Sequence, residues 1–255
     1  MMTHTSKLQV LIAAAFLSVS SMAQADNYQA SEITANMRDM TDAQVLIAAT
    51  DDAAYKRLLP FNFVFNDRIY SEISFSTNGI LSFTSQSNGC CGSDVLNNGA
   101  TAYMGAAIAP FWTDWISTVK TKTFGDAGSR ELVFNWSGYE YGNNPAESKA
   151  DFQVILHEGS NRIEFQYGQN SLRQHHAVGG IQTLNQEVTL FSHHSSNPAF
   201  QFNNRGFMVA DMNPSSNPLP GGNPNPVPEA ETWAMMGAGL GALALMARRR
   251  RKAQA

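Results

Sequence analysis

Local catalytic signatures are missing from this chain. It has no Gly-x-Ser-x-Gly elbow, no His-Glu-x-x-His pair, no phosphate-cradling Gly-x-x-x-x-Gly-Lys loop and no Asp-x-Asp-x-Asp-Gly calcium loop. Those gaps remove the hydrolases, metalloproteases, nucleotide enzymes and calcium sensors that depend on such motifs, and nothing singles out one of the many serines. Charge is scarce too, at 15% of 255 residues. Between Asp26 and Val227 lie 19 of the 21 acidic residues but only 11 of the 17 basic ones, so this body is net negative by about eight. A surface of that sign repels a phosphate backbone, and nucleic acid is not an expected partner. Cysteine is confined to two adjacent positions, Cys90 and Cys91 in "NGCCGSD". A framework of disulfides linking distant segments is therefore excluded. The pair can close a vicinal disulfide that stiffens a loop, stay free or bond another chain, or contribute to a metal or redox site. The last lacks a second ligand pair.

Long amphipathic stripes are absent from the body, whereas period-two alternation is plentiful. In "IYSEISFSTNGILSF", Ile73 and Phe75 alternate with Glu72, Ser74 and Ser76. Asn78-Gly79 then predicts a tight hairpin with positive φ angles, and Ile80 to Phe83 returns. "DFQVILHEGSNRIEFQYG" predicts a second hairpin, with Phe152, Val154 and Leu156 inward, a turn over 158–161, and Ile163, Phe165 and Tyr167 coming back. Leu132, Phe134 and Trp136 share a face upstream, and "VTLFS" and "GFMVAD" read as short later strands. Many short strands at regular spacing predict an all-β fold, an antiparallel β-sandwich.

Both ends differ from the body. Residues 1–25 combine Lys7, an apolar stretch from Leu8 to Val19 and a small-x-small site at Ala23 and Ala25, the pattern of a secretory signal peptide that leaves Asp26 as the first mature residue. Residues 26–44 form a lead-in, and the sandwich is expected over 45–211. Six of the ten prolines fall between Pro214 and Pro228, making 212–226 a proline-, asparagine- and glycine-rich linker of extended, polyproline-like character. Beyond it, the 15-residue apolar run from Trp233 to Ala247 would reach about 22 Å as a helix, short for a hydrocarbon core near 30 Å. Arg248, Arg249, Arg250, Arg251 and Lys252 stop it and are expected to hold that end on the cytoplasmic side. Gly237 and Gly241 would either dimerise such a helix or weaken it for processing. Residues 253–255 complete the chain.

Two resemblances follow from these motifs. "LPFNFVFNDRIYSEISFSTNGILSF" (Leu59 to Phe83), "AAIAPFWTDW" (Ala106 to Trp115), "FQVILHEGSNRIEFQYG" and "AVGGIQ" (Ala177 to Gln182) occur in the order seen in the nidogen-like β-sandwich of matrix and bacterial exported proteins. The resemblance implies an adhesion or matrix module with no catalytic set to carry over. The segment 227–252, with Val227, Pro228 and Glu229 before the short apolar run and the basic stop, resembles the PEP-CTERM sorting signal of Gram-negative bacteria. That resemblance implies an exosortase-type processing enzyme as a partner, transient anchoring in the inner membrane, and delivery to the cell surface or to exopolysaccharide and other surface matrix components. Ala230 departs from the proline that usually closes the Pro-Glu-Pro motif.

Within the body, the residues that could carry chemistry are Asp114, His157 and the pairs His175-His176 and His193-His194. Adjacent strand residues point to opposite faces, so each pair offers one ring per side. One histidine from each pair, with His157 or Asp114, would suit zinc or copper; exposed loop histidines are the plainer expectation. Asp114, between Trp112 and Trp115, could act as a raised-pKa acid or join those rings and Tyr103 in a sugar-stacking surface. The plainer expectation is a buried strand-end carboxylate accepting main-chain hydrogen bonds, with the tryptophans filling the sandwich. Overall the residues point to a non-enzymatic exported module without a cofactor, an exported carbohydrate-active hydrolase or carbohydrate-binding protein being the alternative. Asn135 fits a glycosylation acceptor by pattern only.

Overall fold

The computed structural model describes residues 27–84, 86–96, 105–195, 199–216 and 218–221. The signal peptide with Ala23 and Ala25, Tyr103, the end of the linker, the sorting segment 227–252 with its basic stop, and the tail 253–255 lie outside them. The described residues form sixteen strands and no helix. In chain order these are β1 (Tyr28–Ile33), β2 (Gln44–Thr50), β3 (Ala54–Phe65), β4 (Arg68–Ser76), β5 (Ile80–Ser82), β6 (Ala107–Trp112), β7 (Trp115–Phe124) and β8 (Glu131–Glu140). They continue as β9 (Ala150–His157), β10 (Ile163–Tyr167), β11 (Ser171–Leu172), β12 (Ala177–Gln182), β13 (Glu187–His193), β14 (Phe200–Gln201), β15 (Arg205–Asp211) and β16 (Leu219–Pro220).

Two seven-stranded sheets face one another. The first runs β1-β15-β10-β9-β8-β7-β2; the second runs β13-β12-β6-β5-β4-β16, with β3 also on β4, and β11 and β14 form a small separate pair. Every pairing is antiparallel except the short β16–β4 contact. The alternating residues read from the sequence are the inward ones: Phe134, Trp136, Phe152, Val154, Phe165 and Tyr167 are all fully buried in the shared core. Trp136 stacks on Phe152 at 5.3 Å, and Phe111 meets Trp115 edge-on at 5.3 Å, the offset geometries that ring quadrupoles prefer. Polar atoms in this core are paired across the sheets. Trp136 Nε1 donates to Ser76 O at 2.7 Å and the Tyr167 hydroxyl to Pro110 O at 2.7 Å. Burial holds the Tyr167 hydroxyl well above its ordinary pKa.

Three details differ from the sequence reading. The lead-in expected over 26–44 is, from residue 27 on, integral to the sandwich, because β1 and β2 are the two edges of the first sheet. The ten residues between them, 34–43, cross its outer face like a strap. Six strand spacings require about 29 Å, and ten extended residues reach about 33–36 Å, so the strap is nearly taut. Asn36 N donates to Gln166 on β10 at 2.6 Å, Arg38 N to Gln153 on β9 at 2.8 Å, and the Arg38 guanidinium binds Glu131 on β8 at 2.9 Å. The same strap covers Asn135, which is buried and bonded to Gln153, so its side chain is no accessible glycan acceptor. The linker is also less free than its composition suggests: Gly221 N donates to Ile69 O at 2.6 Å, docking β16 on β4.

The third difference is the Asn78-Gly79 turn. Ser76 pairs with Ile80, which leaves a three-residue loop, and only Gly79 has a positive φ, at 72°. Asn78 keeps an ordinary φ, as the middle residue of a three-residue hairpin loop does, and its side chain is committed elsewhere. Its Oδ1 accepts Trp115 N–H at 2.8 Å and its Nδ2 donates to Asp52 Oδ1 at 2.8 Å. A Cβ at Gly79 would stand 2.2 Å from Phe111 O, so this position requires glycine for space as well as conformation.

Candidate functional site

One rim of the sandwich gathers most of the chemically interesting side chains. There the chain passes from the second sheet to the first through Thr113-Asp114, between β6 and β7. The β2–β3 turn (51–53), the β4–β5 turn, the start of β9, the β11–β12 link (173–176), the end of β13 and the loop 86–96 surround that crossing.

Glu140 is its best-organised group. It closes β8, is fully buried, and accepts main-chain N–H bonds from Arg173 (2.8 Å), Gln174 (3.0 Å) and His175 (2.7 Å). Asn143 Nδ2 at 2.7 Å and His175 Nδ1 at 2.9 Å complete the shell. Burial alone would raise the Glu140 pKa, but His175 and the three amides together carry it below the ordinary range. The same hydrogen bond raises His175.

Beside it stands a crowded trio. The carboxylates of Asp51, Asp52 and Asp114 offer oxygens within 4.8 Å of one another. Asp114 is only 9% exposed, and no described residue donates a hydrogen bond to its carboxylate; its main-chain oxygen accepts Tyr141 N–H at 2.9 Å. The expected shell of main-chain donors therefore belongs to Glu140, not to Asp114. Burial first, then the neighbouring Asp51 charge, raises the Asp114 pKa, with His175 pulling the other way. Burial likewise raises Asp51, whose Oδ1 is buried without a hydrogen-bond partner. Carboxylates raised in the folded state contribute stability that is present below the usual carboxylate range and lost as pH rises through their folded values. Asp114→Asn is thus expected to raise the urea midpoint at about pH 7 and to leave it nearly unchanged at about pH 3, by paired denaturation curves. A lower midpoint near neutrality would contradict the crowding.

The tryptophans are not available to sugars. Trp115 lies in the core and Trp112 in a smaller cluster on the outer face of the second sheet, and they are 0% and 1% exposed. The loop 86–96 roofs Trp112, whose Nε1 donates to Gly89 O at 2.6 Å. A stacking surface built on these two rings is corrected to an interior role. The sulfurs of Cys90 and Cys91 are bonded to each other at the exposed part of that loop, with Cα atoms 3.8 Å apart. Gly92 follows with φ +66° and would bring a Cβ within 2.7 Å of His176 O, so the loop is seated closely on the β11–β12 link.

Apart from His175, the histidines of the body separate into three environments. His157 lies at the far end of the first sheet, under the strap, 3.0 Å from Glu164, so it cannot join the rim residues. His193 is buried and stacks on Phe200 at 4.7 Å, and burial lowers its pKa. His176 and His194 come together, but with Asp94 in place of His157 or Asp114.

Residues 27–217 match the NIDO-related family. The chain belongs to that family. The NIDO-related module is followed by a second match, to the PEP-CTERM protein-sorting motif over residues 226–251, which marks an exported protein sorted by exosortase. No curated protein matches the chain. No solved structure matches it either. Sequence reasoning missed Asp94 and Glu140 in the NIDO-related module, since an isolated carboxylate in "GSDVL" or "GYEYG" carries no motif.

Proposed function

We propose that this chain is a non-enzymatic surface or extracellular-matrix module of a Gram-negative bacterium, acting by adhesion within the biofilm matrix. The signal peptide is removed after Ala25. The apolar run over 233–247 anchors the chain briefly in the inner membrane, with Arg248 to Lys252 on the cytoplasmic side. Exosortase cuts near Val227, Pro228 and Glu229 and passes the body outward, where it meets exopolysaccharide or other matrix components. The observation that carries this reading is the arrangement itself: the NIDO-related match ends at 217 and the sorting motif begins at 226. Glu140 and His175 add support, because they are committed to one another and, through Glu140, to three main-chain N–H groups.

A polysaccharide partner is tested by native electrophoresis of the chain in gels containing the organism's own exopolysaccharide. A retarded band is expected. Unchanged mobility across the concentration range would remove the polysaccharide as the partner and leave protein matrix components.

A further inference from the structure

We propose that Asp94, His176 and His194 form a binding site for a divalent transition cation of the zinc class, which clamps the disulfide loop to the β12–β13 hairpin. The three residues come from separate segments, and each position is built. Ala177 pairs with His193, so His176 and His194 occupy the next opposed positions at the open end of the hairpin. Their rings stand perpendicular with centroids 4.5 Å apart. Asp94 is delivered by the loop 86–96, and Ser192 Oγ on β13 donates to its main-chain oxygen at 2.5 Å. Thr113 Oγ1 donates to His176 O at 2.6 Å, fixing the other side.

The donor atoms already face one another. Asp94 Oδ2 is 3.7 Å from His176 Nδ1 and 3.7 Å from His194 Nε2. Zinc bonds of about 2.0–2.1 Å in tetrahedral geometry put neighbouring donors roughly 3.3 Å apart; the two carboxylate–imidazole distances are already close to that, and all three donors lie within 4.8 Å of one another. The His176 tautomer is suited to this. The Ser195 N–H, a group that can only donate, points at Nδ1 from 3.3 Å, so Nδ1 carries the lone pair. The ring proton therefore sits on Nε2 and is given to Ser195 Oγ at 3.0 Å, a partner of the kind that orients metal-bound imidazole. A cation would replace the long amide contact at Nδ1.

Two imidazoles and one carboxylate suit zinc or copper better than calcium or magnesium, which prefer all-oxygen shells. The other mixed cluster, Glu131, His157 and Glu164, is already filled by the Arg38 guanidinium.

The test is calorimetric titration of the metal-free, full-length chain in mild detergent with zinc chloride. One saturable site per chain is expected, weakened about tenfold or more in Asp94→Asn and in His194→Ala and retained in His157→Asn. Because a variant could misfold, carbethoxylation of the unaltered chain is measured alongside by mass spectrometry. Zinc is expected to protect His176 and His194 from the reagent while calcium does not. No saturable uptake by the unaltered chain, or uptake and protection that persist in Asp94→Asn and His194→Ala alike, would overturn the site.

Discussion

Replacing Glu140 by alanine is expected to destabilise the sandwich by about 3–5 kcal/mol, measured by urea unfolding near neutral pH. The reason lies in what the carboxylate leaves behind. Three consecutive main-chain N–H groups, from Arg173, Gln174 and His175, converge on its two oxygens in a site with no solvent exposure. A buried donor stripped of its acceptor costs about 1–3 kcal/mol, and water entering the cavity would recover only part of the total. Glu140→Gln keeps one acceptor oxygen and is expected to fall between. The pH dependence is also defined. Glu140 is lowered, so its contribution is present above the usual glutamate range and lost as pH falls through its folded value. His175 is raised, so its contribution is present below the usual histidine range and lost as pH rises through its folded value. The pair therefore stabilises most strongly between those limits. A loss below about 1 kcal/mol in Glu140→Ala would show that the link 173–176 holds its conformation without the carboxylate.

Removing the Arg38 side chain should be nearly as damaging, about 3 kcal/mol in Arg38→Ala. Arg38 is the centre of the strap, and its guanidinium binds Glu131 and Glu164 with two contacts to each. The Glu164 side chain is only 6% exposed. Burial raises its pKa, and hydrogen bonds from His157 and Gln166 together with the Arg38 charge bring it below the ordinary range. Without Arg38 that charge stays under the strap with only His157 and Gln166 facing it. Arg38→Lys restores a charge but not the planar fork, and should recover less than half of the loss. Unfolding in urea gives the magnitude. Limited proteolysis gives the location, with new cleavage expected within 34–43. A stable variant with an uncut strap would contradict the role given to Arg38.

How far the sequence spoke depended on whether a signal was local. The inward alternation at Phe152, Val154, Leu156, Ile163, Phe165 and Tyr167 was legible because one buried face writes a period of two into each strand. β1 was not, because as an edge strand it buries Tyr28 alone and otherwise looks like polar lead-in. The strap was hidden for a related reason: it satisfies main-chain groups and covers Gln153 and Gln166, and its two methionines, Met37 and Met40, are only half-buried and too few to write a period. The Asn78-Gly79 turn was located correctly but counted short, since commitment of the Asn78 side chain to Trp115 and Asp52 is a tertiary fact. Trp112 and Trp115 differ by one sheet crossing at Thr113-Asp114, which no spacing rule encodes. At the rim, Glu140 required knowledge of where the 173–176 link returns, and the His176–His194 pairing required the β12–β13 register.

The sorting tail carries the central claim, and recovery of the protein from cells and from culture medium tests it most directly. Intact mass measurement with sequencing of both termini is expected to find a medium or surface form that begins at Asp26 and ends near Glu229. A minor full-length or signal-processed form is expected in the inner membrane. Finding only chains that retain Arg248 to Lys252, all of them in the inner membrane, would contradict exosortase-dependent delivery and make the tail a permanent anchor.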